Sequence, residues 1–536
     1  MSERKMGSVT YREVGDEYFQ QRGLRRHAGV MALWALGVAA VISGDFFGWN
    51  FGLGVGGFGG LLLATVVITV MYYGLCYSIA EMSPALPHTG GVYSFARSAM
   101  GPWGGFITGL AENMEYVITP AVVVVSIGAY MQVIMTELFN LNADAQPFWN
   151  TPPFWWAVFF IAFVWLNIAG IEATMRFTVI ITFLALGILA VFFIAALTKF
   201  DASLLFNIPD GGGESLPDGG GPFLPFGIGG ILKALPFAIW FYLAIEELPL
   251  AAEESMDPKR DIPKATIWGM TTLVVTGVLT LVLNTGVSGA NETGATLEPI
   301  FLGFSAIFPN SDIAAVLALI AVIGLVASFF TIIYAYGRNI FSLSRAGYFP
   351  SWMSVTHGQR RTPHVALILG AVIGYALAYM IYKFGYDDAG ATTGLGAALL
   401  TMAVFGAVIS YAMQCLSFIM LRRNLPNIER PFRSPLGSGG AAVAGVIAVV
   451  ALISLFLIRD YRFGVIGTAI WFLLGLIYFA ISGRNRLVLS PEEEFALTRG
   501  EQGVPGQEGF VSSQAEQEAI LGGGAGGTPP PPPTSG

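Results

Sequence analysis

Apolar runs of about 20 residues recur along the whole chain, and that recurrence leaves few folds open. A helix of that length crosses a hydrocarbon core of about 30 Å. Helices also satisfy their own backbone hydrogen bonds, which a chain in lipid must do. The runs fall at residues 30–54, 59–82, 103–137, 153–170, 176–198, 229–252, 266–287, 313–342, 364–384, 393–420, 440–458 and 464–482. They predict an all-α polytopic membrane protein with twelve transmembrane helices. Only 12% of the residues are charged and 54% are hydrophobic, about half the charge share of an ordinary soluble domain. No short signal peptide with a cleavage site precedes the first run, so that run is expected to stay in the mature protein. Cys76 and Cys415 each lie inside a span and read as packing residues, not as a disulfide framework.

An even number of spans puts both termini on one side. With the tail 1–29 in the cytoplasm, all 27 Lys and Arg fall inside except Lys199, Lys233, Lys383, Arg459 and Arg462. That is the positive-inside distribution, and it predicts a multi-pass protein of the bacterial cytoplasmic membrane with both termini cytoplasmic. The external loops are acidic or glycine-rich, with Asp201, Asp210, Glu214 and Asp218, then Glu292 and Glu298, then Asp387 and Asp388. The formal charge of −8 comes largely from loops and the C-terminal tail and does not point to nucleic acid. Residues 487–536 contain EEEF, SSQAEQEA and a final Gly/Pro-rich run. They hold too few apolar groups to offset ordering and are expected to be mostly disordered.

Spans 1 and 6 are irregular. Span 1 carries ISGDFFGWNFGLGVGG, in which Gly44, Gly48, Gly52, Gly54, Gly56 and Gly57 surround Asp45. Glycine weakens a helix and permits close backbone approach, so an acid among glycines marks a break there. Span 6 runs through FAIWFYLAIEELPLAAEESMDPKRDIPKA, with Glu246 and Glu247 adjacent and Pro249 next. Two carboxylates facing lipid would cost several kcal/mol, so they are expected to face a protein interior, a water path or a partner. Irregular segments at matching positions of two halves point to a substrate site between inverted repeats. Spans 1–5 (30–198) and 6–10 (229–421) form the two repeats on this reading. A loop at 199–228 separates them, and spans 11 and 12 (422–486) are additions.

The acids set the chemistry. In span 3, LAENMEYVITPA places Glu112 and Glu115 three residues apart on one helix face, beside Tyr116. No Lys or Arg stands mid-span in the first ten spans, and Arg97 and Arg176 lie at span ends. A cationic ligand would relieve the excess negative potential of Asp45, Glu112, Glu115 and Glu246. Phe46, Phe47 and Trp49 flank Asp45, and Trp240, Phe241 and Tyr242 precede Glu246. Such rings offer a desolvated ammonium about 1–2 kcal/mol of cation–π energy. The histidines His27, His88, His357 and His364 lack metal-ligand spacing, so no metal or cofactor site is expected. With no phosphate loop and no serine–histidine constellation in a shared span, the chain reads as a transporter, not an enzyme. Isolated acids on different helices favour a closed central site over a continuous pore.

From about residue 28 to 485 the chain resembles the amino acid–polyamine–organocation permeases. The resemblance rests on three blocks. The first is the aromatic run Trp240, Phe241 and Tyr242 with Ala244 and Glu246, followed by Glu253, Glu254, Asp257, Pro258, Lys259, Arg260, Ile262 and Pro263. The second is EMSPALPHTGGVYSFARSAMGP, with Pro87, Gly90, Gly91 and Tyr93. The third is GRNIFSLSRAGYFPSW, with Arg338, Arg345, Gly347 and Pro350. The resemblance implies a LeuT-like fold of 5+5 inverted repeats with helices 1 and 6 broken, and alternating access around one central site.

Within that family, GDFFGWNFGL and GLAENMEYVITP are most similar to bacterial ethanolamine permeases. Amino acid permeases usually carry a Gly-Ser/Ala-Gly-Ile-Phe type segment in span 1, whose amides bind the substrate carboxylate. Here Asp45 would repel a carboxylate and suits a substrate with only an amine and a hydroxyl. The resemblance implies uptake of ethanolamine, with choline and small amino acids as the alternatives. Together with the acids and rings above, this places substrate at Asp45, Phe46, Phe47, Trp49, Glu112, Glu115, Tyr116, Trp240, Tyr242 and Glu246. A sodium site in this fold would combine span 1 carbonyls with Ser328 and Thr331 of span 8. A proton-coupled member carries a lysine in span 5, which is absent between Arg176 and Lys199. Glu246 or Glu115 then remains as a proton carrier, leaving proton, sodium and facilitated uptake open.

Overall fold

In a computed structural model, the described residues are 3–496, apart from 13, 87–89, 143–144, 209–220, 309–310, 385–393, 459–460, 491–492 and 495. Pro87, His88, Asp210, Glu214, Asp218, Asp387, Asp388, Arg459 and the tail from 497 lie outside them. Among the described residues ten helices are long and apolar enough to cross a membrane. Two shorter apolar helices, Val30–Phe46 and Gly227–Ile239, occupy spans 1 and 6. The two spans that fall short are thus the two whose sequences are irregular. Counting them, the twelve spans follow one another in the expected order, in an all-α polytopic bundle.

Local sequence explains where several helices turn. Gly57 (φ 67) breaks Phe51–Ala85 into the second half of span 1 and span 2, and Gly101 (φ 79) separates a short helical stretch, buried over 91–97, from span 3 within Gly91–Phe139. Pro152, Pro258 and Pro299 open their helices, at a position where the missing N–H had no intrahelical partner to lose. Span 7, Pro258–Ser288, begins eight residues before the expected 266 because the basic loop after span 6 is itself its first turns.

Buried apolar side chains form one large cluster through spans 1 to 11. Span 12, Arg462–Ile481, exposes Ile466, Ile470, Leu473, Leu474 and Ile477, a face fit for lipid. At its end Phe479 stacks on Phe106 (centroids 4.4 Å apart) and joins a second cluster with Tyr348, Val9, Tyr11 and Leu487.

That second cluster supports a small sheet. β1 (Glu3–Met6) and β2 (Val9–Arg12) form an antiparallel hairpin, and β3 (Leu487–Val488) pairs with β2 in parallel through Tyr11 and Arg12. The region from 487, expected to be a mostly disordered tail, therefore begins as an ordered strand. Glu493 accepts hydrogen bonds of 2.6 Å from Tyr11, Tyr348 and Arg97. Burial and the Glu493 carboxylate raise the Tyr11 phenol well above its usual range, so it stays protonated and donates. Gly347 (φ +83) lets the sheet seat, because a Cβ there would lie 2.2 Å from the carbonyl oxygen of Arg486.

Candidate functional site

Spans 1 and 6 cross where their sequences allow backbones to touch. A Cβ on Gly44 would lie 1.8 Å from the Trp240 carbonyl oxygen, and one on Gly48 would lie 2.9 Å from the Trp240 ring. Trp240 is thus a wedge between the broken helices. The break in span 1 falls later than Asp45, which corrects the expectation. Asp45 belongs to a helical turn, Ser43–Phe46, and the chain turns extended at Phe47 and left-handed at Gly48 (φ +98). Three backbone amides at the break are already engaged. Asp45 N donates to Ile42 O (3.0 Å), Phe47 N to Ser43 O (2.9 Å) and Gly48 N to Asn50 Oδ1 (3.1 Å).

Asp45 is 1% exposed, and its carboxylate oxygens make no hydrogen bond among the described residues. The Thr276 hydroxyl of span 7 and Tyr242 of span 6 are its polar neighbours. Tyr242 also shares a 2.8 Å hydrogen bond with Thr69 of span 2. The aromatic residues after Asp45 disperse. Phe46 packs on Gly324 of span 8, Phe47 meets Phe51 edge-on at 5.6 Å, and Trp49 stacks on Phe241 at 5.5 Å.

In span 6 the helix stops at Ile239, passes through Trp240–Ala244 and resumes as a 3-10 helix over Ile245–Glu254. Ala244 stands in the left-handed region (φ +83), a conformation that glycine adopts without steric cost. Glu246 and Glu247 follow at once, both fully buried. Glu246 and Glu115 lie within hydrogen-bonding reach of each other. Tyr116 donates to Glu246 and Tyr411 to Glu115, each at a long 3.5 Å, and Tyr72 donates to Tyr411 at 2.9 Å. Among the described residues the carboxylate oxygens of Glu112 and Glu247 have no hydrogen-bond partner. The structure therefore brings Glu112, Glu115, Tyr116 and Glu246 into one cluster and sets Asp45 and Tyr242 beside it, the two joined by the Tyr72–Tyr242 ring contact at 5.3 Å.

Sequence reasoning missed Tyr72, Tyr411 and Thr276, since a single tyrosine or threonine in a span reads as packing. It also left out of the site Arg338, which stands near the end of span 8 and not mid-span. Fully buried in span 8, Arg338 bonds Glu254 at 2.9 Å and lies close enough to Glu247 to act on it electrostatically. Tyr334 also donates to Glu254, and its ring lies 3.7 Å beneath the guanidinium. Arg345 holds Glu253 at 2.5 Å. His27 N and Ala28 N donate to Glu254 O, each at 2.8 Å, and Arg22 donates to Ser354 Oγ at 2.8 Å. The face that carries the termini is closed by these contacts. On the opposite face Asn50 Nδ2 donates to the carbonyls of Thr293 and Thr296, each at 2.8 Å.

The two span 8 hydroxyls diverge. Ser328 donates to Ala40 O of span 1 at 2.5 Å and accepts from Ser43 at 2.8 Å. Thr331 donates to Ala327 O and Ser328 O in its own helix.

An amino acid permease family model matches residues 29–488, the two broken spans and the whole acid cluster included. The chain belongs to the amino acid permease family. It is a multi-pass transporter, not an enzyme. The permease is 28% identical over 444 residues to an uncharacterized transporter of Rhizobium meliloti, covering 81% of this chain and 87% of that one. It is 24% identical to the branched-chain amino acid permease BcaP of Bacillus subtilis, covering 88% and 96%. The methylthioribose transporter of the same organism is also 24% identical, with 88% and 96% covered. MhsT, solved in complex with L-phenylalanine, shares the LeuT-like fold at a TM-score of 0.58 and 14% identity, covering 82% of this chain and 99% of that one. The names of these relatives speak of branched-chain amino acids and methylthioribose, whereas the sequence led to the expectation of an ethanolamine branch.

Proposed function

We propose that this permease takes up ethanolamine across the cytoplasmic membrane by alternating access, with the face that carries the termini cytoplasmic. One observation carries the reading: Glu112, Glu115, Glu246 and Glu247 are buried in one cluster with Asp45 buried beside it, and Arg338, a cation near them, is already bonded to Glu254. A permanent cluster of uncompensated carboxylates is costly, and an ammonium or protons relieve it. Glu115 and Glu246 then hold the ammonium, with Asp45 and Tyr242 near the hydroxyl end. The coupling ion is a proton on that carboxylate pair, or sodium between Ser328 and the span 1 carbonyls.

A zwitterionic amino acid is the second reading, favoured by the name of the branched-chain relative. Its carboxylate would need free amides in span 1. The amides of Asp45, Phe47 and Gly48 are engaged, and the Asp45 carboxylate would repel it. Liposomes holding the purified permease, given radiolabelled ethanolamine, choline, leucine or alanine under imposed pH or sodium gradients, test both. Concentrative uptake of ethanolamine supports the proposal. Uptake of an amino acid with ethanolamine ignored would overturn it.

A further inference from the structure

Away from the central cluster, the face that carries the termini holds a groove of about 550 Å³, built by the start of span 7 and the loop between spans 10 and 11. Arg260, Lys264 and Trp268 line one wall at intervals of four residues, hence on one helix face, and all three are exposed. Pro431 and Phe432 form the other wall. Lys259 is held by Glu429 at 3.6 Å, whereas Arg260 and Lys264 form no salt bridge among the described residues. Asp257 and Asp261 stand nearby, but Asp257 alone lines the groove, against Lys259, Arg260 and Lys264.

The same helix face continues into the membrane. Past Trp268, which is 54% exposed, come Val275 and Leu279, at 55% and 38%. From the surface inward the order is cation, cation, indole, then aliphatic side chains. Indoles favour the headgroup level of a bilayer, and basic pockets between helices at that level suit anionic headgroups. A soluble phosphate would use the two cations but would leave the indole and the aliphatic track without a role.

We propose that this groove binds one anionic phospholipid, its phosphate on Arg260 and Lys264, its glycerol against Trp268 and an acyl chain along Val275 and Leu279. The site is coupled to the closed gate through a short path. Asp257 lies three residues after Glu254, and Ser255 pairs with Ala28 just before span 1. A lipid held here stabilises the loop that ties the broken helices together.

The test is native mass spectrometry of the full chain in detergent, titrated with phosphatidylglycerol or phosphatidylcholine. For the wild type, the first phosphatidylglycerol adduct is expected to be tighter than the phosphatidylcholine one. In the double variant Arg260→Gln with Lys264→Gln, phosphatidylglycerol affinity falls about thirtyfold while phosphatidylcholine is unaffected. The charge-preserving double variant Arg260→Lys with Lys264→Arg retains the tight adduct, which separates lost charge from lost fold. If the neutral double variant does not fold, Lys264→Gln alone carries the test, with a drop of about fivefold. Affinity unchanged within twofold in a folded neutral variant overturns the proposal. So does full competition by water-soluble glycerol phosphate, which would make the groove a free-phosphate site.

Discussion

Removing the guanidinium that closes the gate is the sharpest perturbation the structure offers. In Arg338→Met, Glu254 keeps its buried carboxylate and the Tyr334 hydroxyl but loses its countercharge, with both partners of the original pair 0% exposed. Breaking a buried pair by deleting one ion costs about 3–5 kcal/mol, most of it the penalty of the stranded charge. Opening the gate lets water reach Glu254, so the cost falls on the closed state alone. The closed-to-open ratio should then drop roughly 150- to 4,000-fold. The assay is alkylation of a cysteine placed at Ser255, which is 0% exposed in the closed form, in a background lacking the buried Cys76 and Cys415. Arg338→Met should raise the labelling rate sharply and abolish concentrative uptake. Removing both ions, by Glu254→Leu together with Arg338→Met, leaves no stranded charge and should bring labelling back to within about tenfold of wild type. Wild-type labelling in Arg338→Met, or a double variant more open than the single one, would refute the reasoning.

Three further outcomes follow from the broken spans. Glu115→Gln should lose equilibrium ethanolamine binding by two orders of magnitude or more, whereas Glu246→Gln should bind but transport slowly. Scintillation-proximity binding beside liposome uptake decides this, and the opposite pattern exchanges the two roles. Asp45→Asn keeps size and removes charge, so it should impair ethanolamine uptake while the protein stays monodisperse; unchanged affinity and turnover would remove Asp45 from the site. Ala244→Gly relieves a left-handed alanine worth about 1 kcal/mol and should raise the apparent Tm, and a lower Tm would contradict the φ of +83.

Much of this architecture was legible in the sequence because lipid permits so few solutions. Run length gave the spans, and glycine or acid inside a run marked the two breaks. Spacing of three put Glu112 and Glu115 on one face, where the structure has them. Glycine content could not show which glycine does what: Gly44 is a crossing point, Gly48 is the turn, and Gly57 divides spans 1 and 2. The position of Asp45, one helical turn before the break, depends on Asn50 capturing the Gly48 amide, a contact that no hydropathy pattern encodes. Tyr72 and Tyr411 come from spans 2 and 10, hundreds of residues apart, and only packing brings them to Glu115. Arg338 was visible in its motif, yet its role as the buried partner of Glu254 required the three-dimensional meeting of spans 6 and 8.

The sheet at the terminal face carries a consequence for how the molecule is made. Its hairpin precedes all twelve spans in the chain, and the strand that covers its edge follows them. Until Leu487 arrives, β2 presents an unpaired edge, and Arg97 waits without Glu493. Pairing of hairpin and strand thus marks the synthesis of all twelve spans: a nascent permease stopped within span 12 would have every helix needed for the acid cluster, but an open edge and a stranded arginine where a protease or chaperone could find them.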